Sequence, residues 1–188
     1  MILKNKKLFI FIIVILIFII LFFIFKDKIL KIIYPKDYEE IVKLYSEQYN
    51  VDENLIFAVI KAESNFDENA ISHKSAIGLM QIMEDTAEDI AIKYNIDIDF
   101  ENVKESVAKV NNNINIGTKY LSVLLEQYKN VEVAVAAYNA GIGTVDNWID
   151  KGIIKSDGSD IENIPYKETN NYVRKILRNY EIYQTIYK

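Results

Sequence analysis

Apolar residues form one unbroken run near the start of the chain, from Leu8 to Phe25. A helix that is apolar on every side is either deeply buried or lies in a membrane. The 18 residues of this run are enough to cross the hydrocarbon layer as a helix, and its lysine-rich flanks suit a soluble core poorly. Those flanks are Lys4, Lys6 and Lys7 before the run and Lys26, Asp27 and Lys28 after it. We therefore predict a transmembrane signal-anchor helix over residues 8–25.

A cleavable signal peptide is the main alternative to a retained anchor. Such a peptide has a shorter apolar region followed by small residues at the cleavage site. The segment from Lys26 to Pro35 has no Ala-x-Ala pattern, which favours an anchor that stays in the protein. By the positive-inside rule, the N-terminal lysines place residues 1–7 in the cytoplasm and the chain beyond the helix outside the cell membrane. Residues 26–37 are predicted to form a connector.

Beyond the connector, apolar positions recur every three or four residues, which is the period of an α-helix. The predicted helices cover residues 37–49, the segment from Asp52 to Glu63, and residues 86–94, 112–128, 131–138, 144–150 and 169–187, with residues 95–105 irregular. Asp52 is a plausible N-cap. No sustained period-two run predicts a sheet, although a short hairpin after Phe66 or between Gly152 and Pro165 stays open. Residues 38–188 are therefore predicted to form one mainly α domain.

One carboxylate falls on an apolar helical stripe. Ile56, Val59, Ile60 and Glu63 are spaced i, i+3, i+4 and i+7, so Glu63 shares the face that points to the core. Charged residues are rarely buried unless they are paired. Burial would raise the pKa of the carboxyl group, as a general acid that works near neutral pH requires. The alternative is a glutamate that ends its helix and reaches water.

Composition narrows the classes of function. The whole chain carries a net charge of −5; residues 1–31 contain six lysines and one aspartate, so residues 32–188 carry −10. Such an acidic domain argues against nucleic acid as a partner. There is no cysteine and only one histidine, His73, so thiolate and histidine metal centres are excluded. The Asp157–Asp160 turn lacks the spacing of a calcium loop. We predict no metal site and no cofactor.

Five short motifs follow Glu63 in a fixed order. They are Glu63-Ser64 with Phe66, then Gly78-Leu79-Met80-Gln81, then Asn113-Ile114 with Gly117 and Tyr120-Leu121, then Ala137-Tyr138-Asn139-Ala140-Gly141, and last Glu168-Thr169 with Tyr172-Val173 and Ile176. With these motifs, residues 38–187 resemble the catalytic domain of soluble lytic transglycosylases, lysozyme-like enzymes that cut the glycan strands of peptidoglycan. The resemblance implies a lysozyme-like helical domain with a glycan-binding cleft. It also implies that the domain faces the cell wall from the outer side of the membrane.

The resemblance implies a reaction that needs one catalytic carboxyl group. Glu63 would protonate the β-1,4 bond between N-acetylmuramic acid and N-acetylglucosamine, and would then deprotonate the muramoyl 6-hydroxyl. The ring that closes is 1,6-anhydromuramic acid. An internal hydroxyl held in place gains the advantage of an intramolecular attack, so no activated water is required. Peptidoglycan glycan strands are the expected partner, and no protein partner is indicated.

The first two motifs supply three further candidates near Glu63. In the family, the positions of Met80 and Gln81 line the glycan cleft. Without the resemblance, Met80 would more often be a core residue. Ser64 either hydrogen-bonds Glu63 or the substrate, or is a polar residue that ends the helix.

The last two motifs supply the remaining candidates. The resemblance implies that the Tyr138 hydroxyl donates to Glu63 and orients it. Asn139 is expected to contact sugar or cap a turn. Glu168 is expected to support the polar network of the cleft rather than act as a nucleophile; alternatively, it is an acidic residue at a helix N-terminus, where the helix dipole favours it. Tyr172, one turn later, is expected to reach the cleft.

Two other functions remain open at this point. Goose-type lysozymes share the fold and the single catalytic glutamate, so a muramidase that hydrolyses the same bond with water is one alternative. The other is an inactive glycan-binding module with a role in assembly. The intact residues Glu63, Gln81, Tyr138 and Glu168 argue against loss of activity.

Overall fold

The structure is a computed structural model that describes the backbone of residues 2–188 and the side chains from residue 9 onward. Met1 and the side chains of Lys4, Lys6 and Lys7, on which the predicted cytoplasmic segment 1–7 depends, lie outside the described part. The chain divides into two compact units. One contains the residues up to Pro35 together with Ile186–Lys188, and the other is Lys36–Thr185.

Helices account for most of the described chain. They are α1 (Ile2–Ile33), α2 (Glu39–Tyr49), α3 (Glu53–Glu63), α4 (Glu84–Tyr94), α5 (Val103–Ala108), α6 (Val110–Tyr128), α7 (Val131–Ala140), α8 (Ile142–Asp150) and α9 (Lys167–Ile186), with a 3₁₀ turn at Ile161–Asn163. In the described residues the only β-type pairs are isolated bridges, Ile71 with Ile77 and Ile77 with Ile82. The prediction of a mainly α fold is confirmed.

Helix α1 contains the segment Phe9–Ile33, which is long and apolar enough to cross a membrane, and none of it is buried. The helix ends eight residues later than the predicted end at Phe25. Residues 26–33 are Lys, Asp, Ile and Leu, and none of them interrupts a helix. The first residue that does is Pro35, which disfavours helical geometry in the residue before it. Most of the predicted connector is therefore helical.

Other helix boundaries differ from the sequence prediction by about two residues, and two of these differences have a clear structural cause. The segment 95–105, predicted to be irregular, ends in the first turn of α5, whose Val103, Ser106 and Val107 are buried. Helix α8 begins at Ile142, with Gly141 in the cap position at φ 85°, and not at Thr144. A positive φ is readily adopted by glycine, so Gly141 allows α7 and α8 to follow each other directly.

Helix α3 lies in the middle of the core of unit Lys36–Thr185. Seven of its eleven residues are buried: Leu55, Ile56, Phe57, Ala58, Val59, Ile60 and Ala62. Asp52 caps it by accepting a hydrogen bond from the Asn54 amide at 2.8 Å, as predicted. Helix α9 packs along it, with the ring of Tyr183 stacked on that of Phe57 at 5.6 Å between centroids. The last residue of α3, Glu63, is thereby fixed beside α9.

Candidate active site

A cleft of about 330 Å³ opens at the C-terminal end of α3. Its walls come from α3, the loop between α3 and α4, and the helices α4, α6, α7 and α9. The predicted site residues that line it are Glu63, Gln81, Tyr138, Asn139 and Glu168. The structure thus brings together residues separated by up to 105 positions in sequence. Ser64, Met80 and Tyr172 do not line this cleft, and Tyr172 reaches the site only through its hydrogen bond to Glu63.

Glu63 is half-buried and held by a tyrosine from the last helix. The Tyr172 hydroxyl donates a hydrogen bond to Glu63 Oε1 at 2.6 Å. Burial raises the pKa of the Glu63 carboxyl from 4.5 to about 7, against the opposing effects of the Tyr172 hydrogen bond and the Lys175 charge. Lys175 also donates to the carbonyl of Ala62, next to Glu63. A carboxyl group with this pKa is present in both protonation states near neutral pH, as acid–base catalysis requires.

Tyr138 makes a different hydrogen bond from the one that the sequence predicts. Its hydroxyl donates to the carbonyl of Met80 at 2.9 Å, and the donor to Glu63 is Tyr172. The Tyr138 ring still lies in the cleft wall, 5.2 Å from the ring of Tyr120. Burial raises the pKa of the Tyr138 hydroxyl well above its usual value, and the charge of the nearby Glu63 carboxylate raises it further. Tyr138 therefore holds the Met80 loop in place.

Ser64 hydrogen-bonds backbone and not Glu63. Its hydroxyl lies 2.9 Å from the Leu79 carbonyl and accepts from the Phe66 amide at 3.1 Å. It is the C-cap residue of α3. Ser64 is thus a polar residue that ends the helix, which is the second of the two alternatives. Its hydroxyl is used by backbone groups both as a donor and as an acceptor. Ser64 fixes the loop after α3 to the loop that contains Gln81.

Met80 is a packing residue, contrary to the prediction that it lines the cleft. Its side chain is fully buried. A Cβ atom added to Gly117 would lie 2.6 Å from Met80 Sδ, so the thioether rests directly on the backbone of α6. Thr118 Oγ1 is 3.9 Å from the same sulfur. The contact of Met80 with a cleft residue is made by its carbonyl group, which accepts from Tyr138.

Gln81 does line the cleft, and its backbone conformation is unusual. It has a φ of 49°, in the left-handed region that few residues other than glycine adopt. Its side-chain amide donates to the carbonyls of Gly78 at 2.9 Å and Ala70 at 3.1 Å. These two bonds stabilise the tight turn of residues 78–81, which places Gln81 in the cleft wall.

A buried asparagine, to which sequence reasoning gave no role in the site, supports this turn from behind. Asn113 in α6 accepts from the Met80 amide at 2.8 Å and donates to the Ile77 carbonyl at 2.8 Å. Gly78 has a φ of 72°, and a Cβ atom there would lie 2.6 Å from Asn113 Nδ2. Glycine is therefore required at position 78 both by conformation and by space. The signal in the sequence is an amide on the buried face of a helix, which needs partners.

Asn139 and Glu168 complete the cleft at the junction of α7 and α9. Asn139 Oδ1 accepts a hydrogen bond from Thr169 Oγ1 at 2.8 Å, and Thr169 is buried. Glu168, in the first turn of α9, is exposed and faces the cleft. It is the second carboxyl group in the cleft wall after Glu63.

Some cleft residues have no counterpart among the predicted site residues. Tyr120 and Thr86 belong to the wall, and so do His73 and Lys74 from the loop between α3 and α4. Sequence reasoning considered His73 only as a metal ligand. Among the residues whose side chains are described, no group of three or more His, Cys, Asp or Glu is arranged to hold a metal ion.

Comparison with known families identifies the domain. The family described as the transglycosylase SLT domain matches residues 40–159. The soluble lytic murein transglycosylase of Salmonella typhimurium is 32% identical over 146 residues, which cover 77% of this chain and 22% of that protein. The membrane-bound lytic murein transglycosylase C of Edwardsiella ictaluri is 34% identical over 120 residues, covering 57% of this chain and 32% of that protein.

Solved structures share the fold. The 70-kDa soluble lytic transglycosylase of Escherichia coli superposes with a TM-score of 0.75 at 29% identity, over 84% of this chain and 26% of that one. An inactive mutant of the lytic transglycosylase Slt from Pseudomonas aeruginosa gives a TM-score of 0.74 at 30% identity, with the same coverage.

The chain thus spans about a quarter of the length of the soluble relatives that it matches. The matched part includes Glu63, Gln81 and Tyr138, whereas Glu168 and Tyr172 lie beyond the family match that ends at residue 159. More than half of the chain matches the family. The chain belongs to the transglycosylase SLT domain family.

Proposed function

We propose that this protein is a membrane-anchored lytic transglycosylase that cleaves the glycan strands of peptidoglycan. The observation that carries the proposal is the state of Glu63. It lies in a cleft, its pKa is raised to about 7, and Tyr172 holds one of its oxygens at 2.6 Å. A relative named a soluble lytic murein transglycosylase supports murein as the substrate class.

In the first step, protonated Glu63 donates its proton to the oxygen of the β-1,4 bond between N-acetylmuramic acid and N-acetylglucosamine. The bond from that oxygen to C1 of the muramoyl ring breaks, and an oxocarbenium-like centre develops. Burial favours the protonated carboxyl group before the reaction. The Tyr172 hydroxyl, which hydrogen-bonds the carboxylate, stabilises the charge that Glu63 acquires as the proton leaves.

In the second step, the Glu63 carboxylate removes the proton of the muramoyl 6-hydroxyl. The oxygen of that hydroxyl bonds to C1, which closes the 1,6-anhydro ring and returns Glu63 to its protonated form. An intramolecular attack of this kind has an effective molarity of about 10⁵ M or more when the groups are well oriented. One carboxyl group therefore suffices as acid and then as base.

Glu168 raises the question of a second catalytic carboxylate. Retaining glycosidases use such a group as a nucleophile. Glu168 is exposed, and Asn139 and Thr169 beside it are bonded to each other. We assign to Glu168 a role in binding the glycan, in line with the resemblance of the Glu-Thr motif to the family.

The apolar helix α1 supports anchoring in the cell membrane. Its segment Phe9–Ile33 has the length and composition of a single membrane span, and a relative is named a membrane-bound transglycosylase. The N-terminal lysines favour a cytoplasmic amino end. The catalytic domain would then face the cell wall.

The products of digestion test the proposal. Purified peptidoglycan is incubated with the full chain in a non-ionic detergent, and the released fragments are identified by mass spectrometry. We expect 1,6-anhydromuramic ends. Fragments with reducing muramic acid would instead identify a muramidase, and no fragments at all would indicate a glycan-binding module.

The matched variant is Glu63→Gln, which keeps the shape of the side chain and removes the proton donor. We expect a loss of product of about 10²–10⁴-fold with the fold intact by circular dichroism, because general acid–base catalysis contributes a factor of this size. Glu168→Gln is the control for a second carboxylate. A comparable loss in Glu168→Gln would favour the two-carboxylate mechanism of a retaining glycosidase.

A further inference from the structure

Two basic side chains that the proposed reaction does not use lie in the wall of the cleft. His73 and Lys74 are adjacent in the loop between α3 and α4, and both line the same cavity as Glu63. Both side chains are exposed. Neither has an ion-pair or side-chain hydrogen-bond partner recorded among the described residues.

The backbone of this loop is held independently of the two side chains. The Ser72 hydroxyl accepts from the amides of Lys74 at 3.2 Å and Ala76 at 3.0 Å. The Ser72 amide donates to the Ala76 carbonyl at 2.9 Å, and Ile71 and Ile77 form an antiparallel bridge just outside this turn. The turn is thus closed by backbone groups and by Ser72, which leaves the imidazole and the ammonium group available to a ligand.

The charge of this turn is opposite to that of its surroundings. Residues 32–188 carry −10, since the chain is −5 and residues 1–31 contribute six lysines and one aspartate. The acidic side chains of the cleft wall are Glu63 and Glu168. Most of this surface would repel an anionic ligand. Within the cleft wall, the positive charge that could attract such a ligand is on Lys74.

Given the proposed function, the ligand that binds in this cleft is a glycan strand with muramoyl residues, and such strands carry carboxylates. Where no peptide is attached, each muramoyl lactyl group ends in a carboxylate. Where a peptide is attached, the lactyl group is an amide and the carboxylates lie on the peptide. An ammonium group and an imidazole N–H are both donors to a carboxylate.

We propose that the His73–Lys74 turn binds a carboxylate of the glycan strand, so that the cleft selects strands by their anionic substituents. The inference rests on the proposed function for the choice of ligand. It extends that function, because it names the chemical group that distinguishes one strand from another. These contacts lie in the wall of the cleft and contribute to the affinity for the strand.

A binding measurement tests this selection without relying on cleavage. The full chain with Glu63→Gln is kept in a non-ionic detergent, and the dissociation constant is measured by calorimetry for a peptide-free tetrasaccharide of alternating N-acetylglucosamine and N-acetylmuramic acid. The second probe is the same tetrasaccharide with its lactyl carboxylates converted to methylamides. The third and fourth probes carry stem peptides with free and with amidated carboxylates.

The variant is His73→Gln with Lys74→Gln in the Glu63→Gln background. Exposed charge pairs are each worth up to about fivefold in an equilibrium constant, so we expect the double variant to bind one of the two anionic ligands about fivefold to tenfold more weakly. Its affinity for the neutral partner of that ligand should not change. The anionic ligand that responds identifies the source of the carboxylate, lactyl group or peptide.

Lys43→Gln in the same background is the control for net charge, because Lys43 is exposed on α2 and does not line the cleft. Lys74→Glu should weaken anionic ligands further, since it places like charges together. Equal dissociation constants for the double variant and its parent would overturn the inference, and so would an equal loss for neutral and anionic ligands. Failure of the proposed function is a separate result, since it would appear as the absence of anhydro products from the wild-type chain.

Discussion

At the scale of single residues, the burial of Glu63 connects its proposed role as an acid with the stability of the fold. Its pKa is 4.5 for a free side chain and about 7 in the folded chain. Between these values Glu63 binds more protons in the folded protein than in the unfolded one, so its contribution to stability declines as pH rises from about 4.5 to 7 and changes no further above that. The buried carboxylate therefore makes the wild-type protein less stable at neutral pH than a variant with a neutral side chain at position 63.

We therefore expect Glu63→Gln to stabilise the protein at pH 8 and to have little effect at pH 4. A shift of this size, reduced for the partial exposure of the group, corresponds to on the order of 2 kcal/mol, or about 4–8 °C in Tm. Thermal unfolding at the two pH values measures it. Glu168→Gln, which removes an exposed carboxyl group, is the control, and a gain at pH 4 equal to that at pH 8 would contradict the prediction.

The hydrogen bond from Tyr172 has its own signature in the pH profile. It favours the carboxylate form of Glu63, so Tyr172→Phe removes a contribution that lowers the Glu63 pKa. The fall of kcat/KM on the alkaline side, where the acid is lost, should move to higher pH. The rate at the optimum should drop about tenfold or more, since a hydrogen bond to a charged group is worth about 1.5–3 kcal/mol.

Two tyrosine variants serve as comparisons for Tyr172→Phe. Tyr180→Phe removes a similar bond from the same helix, to Asp52 at 2.7 Å and outside the cleft, and should leave the profile unchanged. Tyr138→Phe removes the bond to the Met80 carbonyl. If Tyr138→Phe moved the alkaline limb and Tyr172→Phe did not, Tyr138 would be the residue that orients Glu63.

The sequence predicts best those features that depend on residues close together in the chain. The stripe of Ile56, Ile60 and Glu63 predicts partial burial of the carboxyl group, because helical spacing alone places the three on one face. The sequence alone does not identify the partner of Glu63. Tyr138 and Tyr172 both lie on later helices, and tertiary packing decides which of them bonds Glu63. For the same reason, the sequence left two alternatives open for Ser64 and placed Met80 in the cleft wall: their partners are the backbone of Leu79 and of Gly117.

At the scale of elements, the loop after α3 depends on helix α6. Asn113 accepts from one backbone amide of this loop and donates to the Ile77 carbonyl and to that of Val107 at 3.1 Å. Gly117, one turn further along, leaves room for Met80. Helix α6 therefore shapes the wall of the cleft although only Tyr120 of its residues lines it.

Asn113→Ala would leave a buried amide and two carbonyl groups without their partner. We expect a loss of about 3 kcal/mol in the free energy of unfolding, since each unpaired buried group costs roughly 1–3 kcal/mol. Urea unfolding followed by circular dichroism measures the loss. Asn111, on the same helix, is exposed and accepts one hydrogen bond, from the hydroxyl of Tyr45. Asn111→Ala should cost less than about 1 kcal/mol, because water can reach this site and replace the lost bond.

Helix type was predictable, whereas several helix ends were not. The periods of α2, α3, α6 and α9 are carried by apolar residues at regular spacing, and all four helices form. The end of α1 was predicted at Phe25, where the unbroken apolar run stops, but a helix ends where its backbone is prevented from continuing. Pro35 is that point, and lysine is a good helix former.

At the scale of the whole molecule, the chain has two units, and the unit Lys36–Thr185 has its own buried core. Deleting residues 1–35 should release the protein from the membrane fraction. Its rate on soluble glycan strands should change less than about twofold, because every residue of the proposed mechanism lies in the retained unit. Cell fractionation and a turnover assay measure the two effects.

A chain in which residues 9–25 are replaced by seventeen leucines is the control for that deletion. It keeps the length and apolar character of this part of the helix and should stay with the membrane. Continued sedimentation of the deleted chain with membranes would show that the unit Lys36–Thr185 binds membranes itself.

The hydrogen bond between Tyr172 and Glu63 spans 109 positions of the chain. Ribosomes add about 5–20 residues per second, so roughly 5–20 s pass between the synthesis of the acid and that of the residue that holds it. During that interval, and in any chain cut short before α9, Glu63 has no Tyr172 to hold it. The bond that holds Glu63 can therefore form only after α9 has been made and has folded back onto α3.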